Sequence, residues 1–180
     1  MDRDSALSLV KEKVSNKNLI KHMLACEVLM RELARTFSEN EEKWGLAGLL
    51  HDLDYDLTFK DLPNHGITTA KWLDGKVDAD ILQAIAAHPG HFPRVTKMDK
   101  ALYAVDPITG FVVACALIHP DKKLSSINEE FIIKRMDEKR FAAGADREQI
   151  KACSELGLSL QEFVAAALRA MRSISKELGL

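Results

Sequence analysis

Gly45-Leu46-Ala47-Gly48-Leu49-Leu50-His51-Asp52-Leu53-Asp54 is the stretch that decides how the rest of the chain is read. An apolar helical run ends abruptly in a histidine and an aspartate, a pair that core packing does not call for. Imidazole and carboxylate are ordinary ligands of Zn, Mn, Fe and similar ions. An apolar helix end gives such a site dry, rigid support. Helix capping and chance also produce a His-Asp pair, so the other histidines must decide between the readings.

Upstream, Leu19, Met23, Cys26, Met30, Leu33 and Phe37 recur at alternating four- and three-residue steps, which predicts an amphipathic helix over about 17–37. His22 projects with Leu29 and Leu33 toward its buried side, while Lys17, Lys21, Arg31 and Arg35 take the opposite face. A histidine on a buried stripe is ordinarily a hydrogen-bonded core residue and becomes a ligand only in company. A short amphipathic helix is expected over 5–15. Asn40 caps another that opens on Glu41-Glu42 and runs to His51.

Downstream, residues 53–64 are expected to form an acidic loop holding Asp54, Asp56 and Asp61, closed by Pro63-Asn64. His65 opens a helix of about 65–74 that stops at Gly75. Asp78 or Asp80 starts the next, on which Ile81, Ile85 and His88 share a face until Pro89-Gly90 ends it. The loop 89–98 is basic and carries His91, Pro93, Arg94 and Lys97. A helix from about 99 turns Leu102, Val105 and Asp106 toward the core and is expected to kink or break at Pro107. It resumes through an uninterrupted apolar run, 111–118, that is too short to span a bilayer and reads as a central core helix.

Beyond a His119-Pro120 turn, Ser126-Ile127-Asn128-Glu129 reads as a capping box starting a helix to about 137. A loop with Lys139, Arg140 and Gly144 follows, then a helix over 146–156 stopped by Gly157. Ser159-Leu160-Gln161-Glu162 is a second capping box. It opens a final amphipathic helix reaching Leu178, whose apolar side packs on the core or serves as a dimer face.

Few segments show strand periodicity and no repeat or low-complexity linker interrupts the series, so the expected fold is an all-α, single-domain helical bundle over residues 1–180. At 180 residues, 47% hydrophobic and 29% charged, the chain can bury a real core. Its net charge of −2 gives no nucleic-acid footprint. Cys26, Cys115 and Cys153 are odd in number, widely spaced and set among apolar residues. They read as reduced core thiols of a cytoplasmic protein. The charged start Met1-Asp2-Arg3-Asp4 is not that of a signal peptide, and a membrane is not an expected partner.

His22, His51-Asp52, His65, His88 and Asp106 follow in order, and four of these five positions stand near a helix end or on an apolar helix face, where a polar group needs a partner. Several such groups can satisfy one another through a metal. The ordered set is carried by Asn18-Leu19-Ile20-Lys21-His22, Gly48-Leu49-Leu50-His51-Asp52, Asn64-His65-Gly66, Ala86-Ala87-His88 and Tyr103-Ala104-Val105-Asp106. It resembles the HD-domain superfamily of metal-dependent phosphohydrolases over roughly residues 17–118. Residues 119–180 remain as a helical extension that buttresses the core or covers the mouth of the site.

The resemblance implies roles for these residues. His22, His51, Asp52 and Asp106 would hold a first metal, and Asp52 would bridge to a second held by His65 and His88. A mononuclear site is the alternative, with His65 capping its helix or touching substrate. One or two divalent ions are implied. Histidine-rich ligation favours Fe, Mn, Co, Ni or Zn over Mg. Two such cations ~3.5–4 Å apart activate water near neutral pH and stabilise charge on phosphate oxygens.

Asp52 and His91 are the candidates for the reaction itself, though His91 is equally a surface histidine. Arg94 and Lys97, with Arg140 further on, are the candidate phosphate contacts or simply solvated cations. Asp54 either accepts a hydrogen bond behind the ligands or belongs to the acidic loop.

The expected substrate is a small phosphorylated molecule or nucleotide. No Gly-Tyr-Pro follows the doublet and no His-His pair is present, unlike the cyclic-di-GMP phosphodiesterases of the superfamily. The small bacterial HD hydrolases, including symmetrical diadenosine tetraphosphatases, are the closer likeness. The same ligands would also serve an HD-fold di-iron oxygenase or a non-catalytic regulatory module that binds metal and nucleotide.

Overall fold

The structure is a computed structural model describing residues 1–180. It consists of helices and turns, with no strand. The first helix, α1 (Arg3–Lys13), is capped by Asp2, whose carboxylate accepts from Ser5 N–H at 2.8 Å. Asn16 caps α2 (Lys17–Phe37), which ends at Ser38 in the left-handed region. A short connection then folds α3 (Glu41–Leu50), capped by Asn40, back against α2. Trp44 through Leu50 are all buried, the expected consequence of so apolar a helix.

Gly48 sets how closely α2 and α3 approach. A Cβ on it would lie 2.7 Å from the Cys26 carbonyl oxygen and 2.9 Å from the Glu27 nitrogen. Beside this contact Glu27, only 1% exposed, is held by Arg3 at 2.6 Å and Arg31 at 3.1 Å. Those guanidiniums meet the demand of a buried carboxylate for opposite charge and tie α1 to the α2–α3 pair.

Residues 53–64 are more ordered than an acidic loop. They contain α4 (Tyr55–Thr58) and a 3₁₀ turn (Leu62–Asn64), and Asp54 is fully buried rather than solvated. Its carboxylate takes N–H bonds from Gly66 and Thr69 at 2.9 and 3.0 Å, which folds the segment onto α5 (Ile67–Leu73). That helix begins after His65, not on it, because Gly66 at φ 74° turns the chain first. A Cβ at Gly66 would meet the Ile85 carbonyl at 2.7 Å, so α5 packs closely on α6 (Ala79–Ala87).

The central helix α7 (Lys97–Ile118) starts earlier than expected, because Thr96 and Asp99 form a capping box. It also runs straight through Pro107. Proline removes one N–H and leaves the carbonyl four residues back without its helical partner. Here that carbonyl, Tyr103 O, accepts instead from Gln149 Nε2 at 2.8 Å. By length and hydropathy α7 could cross a membrane. In this fold it is the buried axis against which α2, α6 and the C-terminal helices pack.

After α7, Ser126 lies in a 3₁₀ turn (Leu124–Ser126), and Asn128 rather than Ser126 caps α8 (Glu129–Met136). The expected helix over 146–156 is α9 (Arg147–Lys151) followed by a 3₁₀ stretch (Ala152–Leu156) ending at Gly157. The capping box of Ser159 and Glu162 opens α10 (Leu160–Ser173). The chain breaks at Ile174 before a last turn, α11 (Ser175–Leu178). One hydrophobic core takes in residues from Ala6 to Leu178, so 119–180 share it with the preceding helices. The three cysteines are buried, unpaired thiols, and burial pushes Cys115 up to about 12.

Candidate metal centre

Five elements deliver six side chains to one buried point. His22 comes from the second turn of α2, and His51 and Asp52 from the end of α3. His65 comes from the turn before α5, His88 from the end of α6, and Asp106 from the middle of α7. His51, Asp52, His65 and His88 are buried, while the Asp106 side chain keeps 31% exposure toward the cleft.

Each imidazole is oriented from behind. His51 Nδ1 donates to Gly48 O at 2.8 Å, and His88 Nδ1 to Ile85 O at 2.6 Å. His65 Nδ1 donates to Asp54 Oδ1 at 2.8 Å. His22 Nδ1 donates to Thr109 Oγ1 at 2.9 Å, and that hydroxyl itself donates to Asp106 O. Carbonyls and carboxylates only accept, so these partners put the neutral-ring proton on Nδ1 and leave Nε2 as a lone pair. Support of this kind is what a histidine ligand needs.

The Nε2 atoms then face one another. His22 and His51 stand 3.2 Å apart through Nε2, and His65 and His88 stand 3.1 Å apart. Two nitrogen lone pairs at hydrogen-bond distance require a cation or a proton between them. Asp52 lies between the two pairs. Its Oδ2 is 3.4 Å from His22 Nε2 and 3.3 Å from His51 Nε2. Its Oδ1 is 3.2 Å from His65 Nε2 and 3.5 Å from His88 Nε2. Asp106 Oδ1 joins the first pair, 3.1 Å from His22 Nε2.

Two donor groups that share Asp52 result, His22-His51-Asp52-Asp106 and Asp52-His65-His88, and Cys26 forms a third with His22 and His51; each could hold a metal ion. Nitrogen and oxygen donors in this mixture suit divalent transition metals. The donor set fits the metal that the sequence implies.

Without metal, protons carry the positive charge. Burial opposes charge on His22 and His51, yet Cys26, Asp52 and Asp106 outweigh it and hold both rings well above the usual imidazole range. At His65 burial is likewise outweighed, by Asp52 and Asp54, and the ring is pushed up to about 9. Burial opposes ionisation of Asp52 and Asp106, but the adjacent histidines hold both below the usual carboxylate range. Burial prevails only at His88, which is lowered.

The centre opens into a cleft of about 310 Å³. His22, Asp52, His65 and Asp106 of the centre line it, together with Leu19, Tyr55 and Pro107. Gly144, Asp146 and Gln149 complete the lining, so the chain beyond residue 118 contributes to the cleft wall. Tyr55 packs edge-on against the His65 ring, centroids 5.3 Å apart.

His91, Arg94 and Lys97, expected at the substrate, do not line this cleft. His91 Nε2 donates to Leu62 O at 2.9 Å in an exposed turn. Arg94 pairs with Glu155 at 2.7 Å and lies over the Tyr103 ring at 3.9 Å. Lys97 pairs with Glu39 at 3.2 Å. Lys97 is the first residue of α7, which Thr96 and Asp99 start, whereas His91 and Arg94 lie in the connection before it. Arg140 is exposed in the loop after α8.

Cys26, Thr109, Tyr55, Asp146 and Gln149 enter the site without being singled out by sequence. Cys26, one turn beyond His22 on the same helix, lies 3.7 Å from its Nε2 and was legible in principle from that spacing.

No curated protein matches the chain. A family model described as the HD domain matches residues 19–140, a span that contains all six converging side chains and reaches Asn128-capped α8 and the start of the loop that walls the cleft. With its all-helical fold and its buried histidine and aspartate cluster, the chain belongs to the HD-domain family of metal-dependent hydrolases.

Proposed function

We propose that the protein is a metal-dependent phosphohydrolase with a dinuclear centre, acting on a small phosphate ester or nucleotide. One observation carries the reading: the two oxygens of Asp52 face different pairs of histidine nitrogens, as a bridging carboxylate would. Bound there, two divalent cations of the Fe, Mn, Co, Ni or Zn type supply an activated water and stabilise charge on phosphate oxygens.

The chain's own residues do the rest. Asp54, Thr109 and the carbonyls of Gly48 and Ile85 hold the imidazoles in the ligating tautomer. Leu19 and Pro107 add apolar surface to the cleft, and Gly144, Asp146 and Gln149 complete a lining suited to a small molecule. Buried free thiols favour a reducing compartment such as the cytoplasm.

The test is to purify the chain, reconstitute it separately with Mn, Co, Ni, Zn or Fe, and assay release of phosphate from a broad set of esters beside Asp52→Ala. Turnover that requires metal and disappears in the variant is expected. No turnover with any metal, together with no binding of inorganic phosphate, would overturn the reading.

A further inference from the structure

We infer that the protein carries a second binding site, for a small amphipathic carboxylate, in an apolar cavity that shares His22 with the metal cleft. The inference stands apart from the phosphohydrolase reading, because it needs neither a bound metal nor turnover.

The cavity lies where α2, α7 and residues 178–180 meet, and at about 400 Å³ it is larger than the metal cleft. Its size falls within the ~300–1,000 Å³ that small-molecule sites occupy. Helix periodicity builds the walls. Gly110, Val113 and Leu117 stand three and four residues apart on one face of α7, and Lys21 and Ala25 do the same on α2. His22 lines both spaces, and Thr109, which accepts from His22 Nδ1, lines this one.

Gly110 leaves the space open. It stands in the interior of α7, where glycine is a poorer helix former than alanine. No neighbouring element calls for it: a Cβ there would meet nothing within 4 Å, in contrast to Gly48 and Gly66. Close packing therefore does not account for this glycine. What its missing side chain provides is room in the cavity.

Lys21 sets the charge of the occupant. Its ammonium donates to Leu178 O at 2.7 Å, which fixes it against another part of the same lining. An ammonium carries three donors, so two are left without a protein partner. No carboxylate of the chain pairs with this half-buried lysine, whereas Lys43, Lys97 and Lys151 each have one. A partly desolvated cation among apolar side chains is best satisfied by an anion. Lys21 is also the one lysine or arginine in the lining, which matches a single negative charge. An apolar body along Ala25, Val113 and Leu117 with one carboxylate at Lys21 meets both demands.

The experiment titrates the full-length, metal-loaded protein with decanoate in a calorimeter, beside decan-1-ol as the uncharged counterpart and decylamine as the cationic one. Decanoate is expected to bind about tenfold more tightly than either. Lys21→Gln should lower its affinity about tenfold, to the level of the alcohol. Gly110→Leu fills the cavity and should weaken both decanoate and decanol by about tenfold or more, with Tm and metal content held, because leucine is a good helix former. Chelating the metal should leave decanoate affinity within about twofold, since the carboxylate is held by the ammonium.

No saturable binding of decanoate, or binding no tighter than that of decanol, would overturn the inference. Binding lost on chelation would put the carboxylate on the metal centre and overturn it too. Undiminished binding in Gly110→Leu would place the ligand elsewhere, with the same consequence. Each of these results leaves the phosphohydrolase reading standing.

Discussion

Asp54 and His65 are joined through Oδ1 and Nδ1 at 2.8 Å, and the other Asp54 oxygen takes the backbone N–H groups of Gly66 and Thr69. One buried carboxylate thus fixes both the turn before α5 and the tautomer of its histidine. In Asp54→Asn the amide oxygen would keep the two backbone donors, and its NH₂ would then face His65 Nδ1. That partner favours moving the ring proton to Nε2, where it blocks ligation. Metal affinity at the His65-His88 position is expected to fall about 10–100-fold, with the other position retained. Metal titration of both proteins checks this, and unchanged affinity would mean that His65 is not a ligand.

Asp52 and His88 separate a dinuclear centre from a mononuclear one. Asp52→Ala removes the carboxylate shared by both donor groups and should abolish activity and metal retention together. His88→Ala removes a donor from one group and should lose one metal only. Elemental analysis of the purified variants decides it: a His88 variant with a full complement would place all bound metal with His22, His51 and Asp106.

The residues that converge were legible because six polar side chains interrupt apolar helix faces and ends, and such residues need partners wherever the chain folds. The cleft wall was not. By sequence alone Pro107 marks a break, and the long-range bond from Gln149 Nε2 that satisfies the carbonyl it frees, Tyr103 O, has no local signal. Asp54 looks like one of several loop carboxylates until Gly66 and Thr69 bury it. Arg94 and Lys97 are close to His88 in sequence, yet Arg94 pairs with Glu155 and Lys97 with Glu39, and neither lines the cleft. The Ser159 capping box was readable in place, whereas near Ser126 the same letters yield the cap to Asn128.

Metal-free and metal-loaded protein should respond oppositely to pH. Without metal the His65 pKa is raised to about 9, so its stabilising contribution is fully present below the unfolded value of about 6.5 and is lost as pH rises through 9. His22 and His51 are raised as well and act in the same sense; His88, lowered by burial, acts against them. Ligation needs deprotonated rings, so the gain in Tm on adding metal should widen from about pH 6.5 to about pH 9. Thermal melts of chelated and reconstituted protein across that window test it. A gain that narrows would place the metal away from these histidines.

Gly48 sets the α2–α3 spacing and therefore the distance between His22 and His51. In Gly48→Ala the added methyl lies against the α2 backbone at Cys26 and Glu27, atoms that cannot rotate away. Overpacking of this kind costs about 1–3 kcal/mol, and each kcal/mol lowers Tm by about 2–4 °C in a chain of this size. Metal affinity at the His22-His51 position should fall with it. A melt at the wild-type temperature with full metal content would show that the two helices separate freely.

Arg147 holds the cleft wall in shape. Its Nη1 donates to the carbonyls of Ala142 and Ala145 at 2.5 Å each, and its Nη2 to the carbonyl of Phe141. The guanidinium also stacks over Phe111, 4.6 Å from the ring centroid. This hub fixes a loop that passes through the left-handed region at Ala142, φ 43°, and presents Gly144 and Asp146 to the cleft. A lysine ammonium keeps the charge but cannot span three carbonyls in one plane. Arg147→Lys should therefore loosen the wall and raise KM by about tenfold, with kcat and metal content close to wild type, because the ligands lie on other elements. Faster proteolytic cleavage within residues 137–146 should accompany the change. A variant that loses metal or kcat with KM unchanged would instead make Arg147 part of the support of the centre itself.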